Sequence, residues 1–137
     1  MVLTILGWCT WVPSGAFRFT VTVEIGDPQG QRFEEVEALV DTGATYTSLP
    51  ASLLQSLGVS SSVTRTFILA DGRRIQRGLG DTWMRLHGER HPVPVIFAED
   101  DSASLLGAVA LETFGLMVDP VNERLIPVDG LLMVSTV

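Results

Sequence analysis

The sequence contains no lysine, one cysteine and two histidines, and these shortages exclude several kinds of protein. The single cysteine, Cys9, cannot form an intrachain disulfide or build a multi-thiolate metal site. It favours a reducing compartment, so we expect a cytoplasmic protein. The 9 basic residues are all arginine, and the net charge is −7. This charge argues against nucleic acid as a partner, because phosphate binding depends on clustered cations.

Long apolar runs are also missing. Residues 1–12 are apolar but too short to cross a bilayer, and they lack a cationic leader and a small-residue cleavage site. No later stretch reaches spanning length without charges or turn residues, so we expect no membrane partner. A chain of 137 residues, 46% of them apolar, can bury the core of one domain. We expect that domain over residues 16–137, after an N-terminal extension or strand over residues 1–15.

Apolar and polar residues alternate in short segments, which predicts strands with one buried face. The clearest are Phe17–Ile25 and Phe33–Val40, and the turn Asp71-Gly72 predicts a hairpin with arms over residues 63–70 and 73–75. Further strands are predicted near residues 82–86, 93–98, 116–118 and 124–128, with short helices at 50–57 and 108–114. Many short strands separated by turns are typical of a mainly β, barrel-like domain.

The second predicted strand runs directly into Asp41-Thr42-Gly43. The end of an apolar strand is an unusual place for a carboxylate unless a site requires it. An alternative is a strand-terminating turn in which Asp41 accepts hydrogen bonds from nearby backbone N–H groups. The tripeptide alone does not decide between them, and its context is needed.

Three segments in order carry a resemblance. Ala38-Leu-Val-Asp-Thr-Gly-Ala-Thr45, followed by Leu49-Pro50, resembles the active-site segment of retroviral-type aspartic peptidases. Leu105-Leu106-Gly107 resembles that family's second conserved segment, and Phe67–Arg73 lies where the family has its flap hairpin. The likeness extends over most of the chain and is greatest to small bacterial members. It implies a closed antiparallel acid-protease barrel with one or two short helices.

The resemblance implies an aspartic endopeptidase with Asp41, Thr42 and Gly43 as its catalytic residues. Peptide hydrolysis of this kind needs two carboxylates that share one proton. The chain contains one Asp-Thr-Gly, so the second carboxylate would come from Asp41 of another copy in a twofold homodimer. Thr42 would hydrogen-bond across the dyad, and Gly43 would allow a close backbone approach. The substrate would be a polypeptide, and the reaction would need no cofactor and no metal.

The substrate-binding residues implied by the resemblance flank this motif. They are Ala44 beside the aspartate, Ala70, Asp71 and Gly72 at the flap tip, and Leu105, Leu106 and Gly107 in the second segment. At least one of the two leucines is also expected to be a core residue. Pepsin-like enzymes usually have a hydroxyl residue where this chain has Ala44. Without that donor the ionised carboxylate is less stabilised, so we expect activity at milder acidity than that of pepsin.

Other chemical candidates are weaker. His87 and His91 are flanked by Gly88 and Pro92, which makes a helical zinc motif implausible. The residues Cys9, Ser14 and Ser48 lack any pattern that would make them nucleophiles. The acidic run 99–101 is expected to be a solvated loop rather than a cation site, and Arg73, Arg74 and Arg77 a solvated strand face.

Two other functions stay open at this point. A dimeric peptide-binding or assembly module could keep the same fold without turnover, because a fold alone does not determine function. A peptidase could also become active only after processing or after binding a partner.

Overall fold

The computed structural model describes residues 19–130, which form nine strands and two short helices. In chain order they are β1 (Thr20–Gly26), β2 (Phe33–Val40), β3 (Thr47–Pro50), α1 (Ala51–Ser56), β4 (Val63–Ile68), β5 (Arg74–Leu86), β6 (Glu89–Ala98), β7 (Leu105–Leu106), α2 (Ala108–Thr113), β8 (Leu116–Asp119) and β9 (Arg124–Pro127). The predicted extension over residues 1–15, with Cys9 and Ser14, and the apolar tail 131–137 lie outside the described residues. Within residues 19–130, no helix is long and apolar enough to span a membrane.

The larger sheet closes on itself. Its seven strands follow the order β1-β2-β7-β3-β6-β5-β4, and an additional pairing of β1 with β5 completes a ring that leaves β4 at an outer edge. Two neighbouring pairs, β2–β7 and β3–β6, are parallel, while the other pairs of this sheet are antiparallel. Strands β8 and β9 form a separate antiparallel pair. The prediction of a closed, mainly antiparallel β domain is confirmed.

Strand β1 shows why the alternating pattern forms these strands. Successive side chains of a strand point to opposite faces. Val23 and Ile25 are therefore buried in the ring, while Thr22 is exposed and Glu24 is half-buried on the opposite face. The largest fully buried apolar side chains come from six elements of the fold: Val23, Ile25, Leu49, Leu54, Met84, Val93, Val95 and Leu106. One apolar core thus lies inside the closed sheet and under the helices.

Strand β5 differs from its prediction. The sequence pattern predicts two separate strands near residues 73–75 and 82–86, whereas the structure has one strand of 13 residues. Gly78 and Gly80 interrupt the apolar alternation, but they do not interrupt the strand. A Cβ at Gly80 would lie 2.7 Å from the carbonyl oxygen of Ser60, and one at Gly78 would lie 2.8 Å from the Cβ of Ser61. The glycines are needed because another part of the chain crosses the strand there.

The two helices are short and end as the sequence predicts, within one or two residues. Helix α1 is followed by Gly58 with a φ of +84°, and α2 by Gly115 with a φ of +65°, the left-handed conformation that glycine adopts readily. Pro50, predicted at the first turn of α1, is instead the last residue of β3. Strand β3 itself is not predicted from the sequence pattern, because four residues give too little alternation.

An ion pair lies where the ring closes between β1 and β5. Arg85 stands opposite Glu24, and its Nε and Nη2 donate hydrogen bonds to the two carboxylate oxygens, each at 3.0 Å. The guanidinium also stacks 3.9 Å from the centre of the Phe33 ring. These hydrogen bonds lower the pKa of Glu24 and raise the pKa of Arg85. The pair therefore favours the ionised carboxylate in the folded state.

We expect the stabilising effect of Glu24 to disappear in acid. Its folded-state pKa is lowered from about 4.5, so its contribution is present above that pH and is lost as the pH falls through the lowered value. Glu24→Gln should reduce the free energy of unfolding in urea at pH 7, and the difference from the unsubstituted protein should narrow below pH 4.5. Glu112→Gln, which removes an exposed charge on α2, is the matched control. A difference that stays constant down to pH 3 would contradict the expectation.

Candidate active site

The candidate aspartate stands at the end of β2, where the strand is held on both sides. Ala38 and Val40 are buried, and Val40 donates its N–H to the carbonyl oxygen of Phe19 at 3.0 Å. The next N–H, that of Asp41, donates to the carbonyl oxygen of Leu106 at 3.0 Å. Strand β2 pairs in parallel with β7 immediately before this point. The position of Asp41 is therefore fixed by strand hydrogen bonds from two directions.

Beyond Asp41 the chain makes a tight turn. The N–H of Gly43 donates to Oδ1 of Asp41 at 3.0 Å, and the N–H of Ala44 donates to its carbonyl oxygen at 3.1 Å. These are the bonds of the strand-terminating turn considered above, so the turn is present whether or not Asp41 has a further role. Asp41 is half-buried, whereas Thr42 and Gly43 are exposed. The tripeptide therefore lies at the surface of the protomer.

The second predicted segment lies directly against this turn. Strand β7 lies between β2 and β3, with Leu106 fully buried in the core and Leu105 half-buried. At the start of α2, Ala108 and Val109 donate their N–H groups to the carbonyl oxygens of Ala44 and Thr45, at 2.8 and 2.9 Å. One leucine of the pair is thus a core residue, as expected. The helix holds the loop that follows Asp41.

Gly107 is the closest contact between these two segments. Its N–H donates to Oγ1 of Thr47 at 3.2 Å, and Thr47 is 1% exposed. Its φ of −96° is open to any residue, so the backbone does not require glycine. Space does: an added Cβ would lie 2.5 Å from the carbonyl carbon and oxygen of Tyr46. A residue without a side chain is needed for the loop and the second segment to pack.

The predicted hairpin is formed by β4 and β5. Its tip is closed by hydrogen bonds between Leu69 and Arg73 and between Gly72 and Leu69, and Gly72 has a φ of +87°. Asp71 accepts hydrogen bonds from the backbone N–H and from Nε of Arg73, at 3.0 and 2.7 Å. These bonds lower the pKa of Asp71, the backbone N–H having the larger effect. The ionised Asp71 thus stabilises the turn.

A cleft of about 850 Å³ lies between the hairpin and the loop after Asp41. Its lining is mostly apolar and comes from the loop, β3, both hairpin arms, β6, the segment after β6, and β7: Gly43, Ala44, Thr45, Tyr46, Ser48, Thr66, Phe67, Ile68, Leu69, Arg73, Ile75, Arg77, Ile96, Ala98, Glu99, Ser102, Ala103 and Leu105. The cleft therefore joins the loop of the tripeptide to the hairpin, as a peptide-binding site would require.

The structure places some of the predicted site residues in this lining and others outside it. Gly43, Ala44 and Leu105 line the cleft, while Asp41 and Thr42 directly precede its wall in the chain. The predicted tip residues Ala70, Asp71 and Gly72 are exposed and lie outside the lining, which instead contains their neighbours Leu69 and Arg73. Leu106 and Gly107 lie behind the loop. Their packing supports it, and neither reaches the cleft.

The sequence analysis misses several lining residues, of which Tyr46, Phe67 and Ile75 are the most prominent. On the hairpin arms and β6, alternate positions share a face, so period-two counting from known cleft residues could have found Ile75 with Arg77 and Ile96 with Ala98. Tyr46 and Ser48 lie at alternate positions just beyond the loop. No pattern in the sequence marks Tyr46, because its position depends on contacts with distant segments.

The three charged side chains that line the cleft, Arg73, Arg77 and Glu99, form ion pairs. Nη2 of Arg77 lies 2.8 Å from Oε1 of Glu99, and Arg73 pairs with Asp71. Asp100 accepts a hydrogen bond from the N–H of Ser52 at 3.0 Å, in the first turn of α1, a helix whose Pro50 N-cap has no side-chain acceptor. The acidic run 99–101, expected to be a solvated loop, thus has two structural partners.

The two histidines do not form a metal site in the described part of the chain. Within residues 19–130, no group of three or more His, Cys, Asp or Glu residues has an arrangement able to hold a metal ion. Nε2 of His91 lies 2.7 Å from Oε1 of Glu89, and its ring packs edge-on against Phe114 at 5.0 Å. His87 occupies the turn between β5 and β6 with a φ of 52°. His91 thus packs within the fold, and His87 forms part of a turn.

Comparison with known proteins places this arrangement in context. A family model described as aspartyl protease matches residues 21–110. The fold is similar to that of the simian foamy virus (mac) protease, with a TM-score of 0.50 and 19% identity, covering 70% of this chain and 94% of that chain. It is also similar to EIAV protease complexed with the inhibitor HBY-793, with a TM-score of 0.53 and 18% identity, covering 76% and 94%. No curated protein matches by sequence. The expected retropepsin-like fold is confirmed.

Adding a methyl group at Gly107 should destabilise the protein through crowding. The new Cβ would approach the backbone of Tyr46 to 2.5 Å, and overpacking of this kind costs about 1–3 kcal/mol. We expect Gly107→Ala to lower the free energy of unfolding in urea by that amount. Gly130→Ala is the control, since a Cβ there has nothing within 4 Å. Equal stability of the two variants would show that the contact between loop and β7 is not tight.

Proposed function

Because the chain belongs to the aspartyl protease family and is an aspartic peptidase, we propose that it acts as a homodimeric endopeptidase with one catalytic Asp41 from each subunit. The placement of Asp41 carries this proposal. Its N–H is held by the carbonyl oxygen of Leu106, and the wall of an 850 Å³ cleft begins two residues further along the chain. A carboxylate fixed at the mouth of a peptide-sized cleft suits hydrolysis of an extended polypeptide.

The proposed chemistry needs two carboxyl groups that share a proton. Like charges at hydrogen-bond distance cannot both ionise, so one group is a base while the other is an acid. The ionised group takes a proton from water as the water oxygen bonds to the substrate carbonyl carbon. The protonated group gives its proton to the carbonyl oxygen. When the tetrahedral intermediate collapses, the carboxyl group that was protonated by water gives its proton to the amide nitrogen, the C–N bond breaks, and the other carboxylate takes a proton from one hydroxyl of the intermediate. No cofactor is needed in this scheme.

The need for a second subunit follows from the single motif. The full sequence contains one Asp-Thr-Gly, so one chain brings one such carboxylate. Thr42 and Gly43 are exposed in the protomer, where a second copy could approach along a twofold axis. In this arrangement the hydroxyl of Thr42 bonds to the partner loop and keeps the two aspartates in register. Gly43 leaves room for the close approach.

The substrate is proposed to lie extended in the cleft. Among the described residues, strand β4 has one neighbour in the sheet, β5, and its other edge is the proposed site of strand-like hydrogen bonds with a peptide. Ala44 and Leu105 form part of the wall, and Ala70, Asp71 and Gly72 close over the chain as the tip of the flap. Apolar side chains such as Ile75 and Ile96 favour hydrophobic residues beside the cleaved bond. Leu106 and Gly107 act from behind by fixing the loop.

Removing the carboxylate should abolish cleavage without removing the dimer. We expect Asp41→Asn to reduce cleavage of a diverse peptide pool by roughly 10³-fold or more, since catalytic groups that act as a unit are lost together. Asp81→Asn changes an exposed aspartate of β5 and should cleave normally. The measurement is product formation at matched protein concentration between pH 3 and 8, with the dimer checked by sedimentation. Equal turnover by the Asp41→Asn protein would refute the proposed dyad.

Mixing distinguishes a shared site from a site within one chain. Excess Asp41→Asn protein should suppress the activity of the unsubstituted protein, because mixed dimers hold one carboxylate instead of two. If the whole site lay within one chain, the excess Asp41→Asn protein would leave the activity of the unsubstituted protein unchanged. A pair of proteins that both dimerise and both fail to cleave would instead favour the peptide-binding module or a missing activator.

The residue beside the aspartate should shift the pH profile. Ala44 offers no hydroxyl to the carboxylate, so the ionised form has one donor fewer than in pepsin-like enzymes. We expect Ala44→Ser to move the acidic limb of activity to lower pH, because an added donor favours the ionised form. The measurement is kcat/KM against pH for both proteins. An optimum of the unsubstituted protein near pH 2 would contradict the expectation.

A further inference from the structure

The side chain of Tyr46, in the loop after Asp41, contacts the first arm of the hairpin, β4. The rings of Tyr46 and Phe67 meet edge to face with their centres 6.3 Å apart. Nη1 of Arg65 donates a hydrogen bond to the Tyr46 hydroxyl at 3.3 Å. Arg65 and Phe67 stand two positions apart on β4 and so share a face. Two different contacts thus join the same loop residue to the same arm.

Strand β4 has little else to hold it in place. Within residues 19–130 it is the edge strand of the sheet and pairs with β5 alone. Five of its six residues are exposed, and Phe67 is the one that is half-buried. The first arm is therefore an exposed hairpin strand, and a hairpin of this kind is marginally stable unless it packs on another element. Phe67 packs against the Tyr46 ring.

Tyr46 is itself held firmly from behind. Its backbone lies against Gly107 so closely that a Cβ there would overlap it, and the next residue, Thr47, is buried. The carbonyl groups of Ala44 and Thr45 accept hydrogen bonds from the start of α2. The ring thus projects from a rigid loop. It can fix the arm because its own backbone cannot follow the arm's motion.

We propose that Tyr46 is a positioning residue that holds the hairpin over the cleft before a substrate arrives. Tyr46 on the loop and Phe67 on the hairpin both line the cleft, so their contact sets the distance between loop and hairpin at this point. If the cleft is already formed, substrate binding does not have to order a loose hairpin, and the entropy cost of that ordering is avoided. The contact itself does not depend on any enzymatic activity. Its effect on substrate binding rests on the proposed function.

Amide hydrogen exchange tests the contact without requiring activity. In an Asp41→Asn background, Phe67→Ala should accelerate exchange across the hairpin, residues 63–75, by about threefold to tenfold, the effect expected from losing an aromatic pair. Tyr46→Ala should do the same from the loop side. Val63→Ala changes an exposed residue on the same face of β4 and should leave the hairpin unchanged. Unchanged exchange in Phe67→Ala, with the rest of the sheet protected as before, would overturn the proposal.

The hydroxyl contact can be tested separately. Tyr46→Phe keeps the ring and removes the acceptor, while Arg65→Met removes the donor. If the two groups act through each other, the double variant should exchange no faster than either single variant. Additive acceleration would mean that the hydroxyl and Arg65 act independently. That result would refute a contribution of their hydrogen bond to holding the hairpin.

Kinetics then connect the contact to catalysis. In the active protein, Phe67→Ala and Tyr46→Ala should raise KM by about threefold to tenfold with a smaller change in kcat, because substrate binding must now order the hairpin. Tyr46→Phe should restore most of the loss. A lower KM would instead mean that the contact obstructs the cleft, and would refute the positioning role. Failure of the proposed peptidase would show as no cleavage by any variant, with the exchange results unaffected.

Discussion

The parallel pairing of β2 with β7 is the contact on which the rest of the site depends. It brings Leu105 and Leu106, from late in the chain, beside Leu39 and Val40, and it provides the carbonyl group that accepts the N–H of Asp41. A parallel pair cannot be joined by a short hairpin, so the intervening chain must make a long crossover. That crossover contains the hairpin and β6, the elements that wall the cleft.

The site combines a rigid loop, the one after Asp41, with an exposed hairpin formed by β4 and β5. The loop after Asp41 is bonded to α2 through the carbonyl groups of Ala44 and Thr45, and Gly107 packs without space behind Tyr46. The hairpin above the cleft is exposed along β4 and closed locally by its own turn. Catalytic groups work best when they are held in fixed positions. Segments that open to admit a ligand come from the less stable parts of a fold. The rigid loop and the exposed hairpin therefore match the two requirements of the proposed peptidase site.

Close approach explains why several glycines occur in this fold, and it also explains where the sequence pattern misleads. Gly78 and Gly80 look like a break between two strands, yet they belong to the middle of β5, where residues 60 and 61 cross. Gly107 has an ordinary φ and is required for space alone. In each case the reason for glycine lies in a segment remote in the chain. A single-sequence pattern records the interruption but contains nothing about the neighbour that causes it.

The sequence by itself indicated a mainly β, barrel-like domain and most strand positions, because alternation and turn chemistry act between residues close in the chain. The meaning of Asp41-Thr42-Gly43 and the closure of the barrel came from the resemblance to retroviral-type aspartic peptidases. It also indicated Leu105-Leu106-Gly107 as a second segment, though not which leucine is buried. Only the tertiary structure decided the membership of the cleft, the continuity of β5 and the position of Tyr46 beside the hairpin. These properties depend on contacts between residues distant in sequence, and such contacts exist only once the ring has closed.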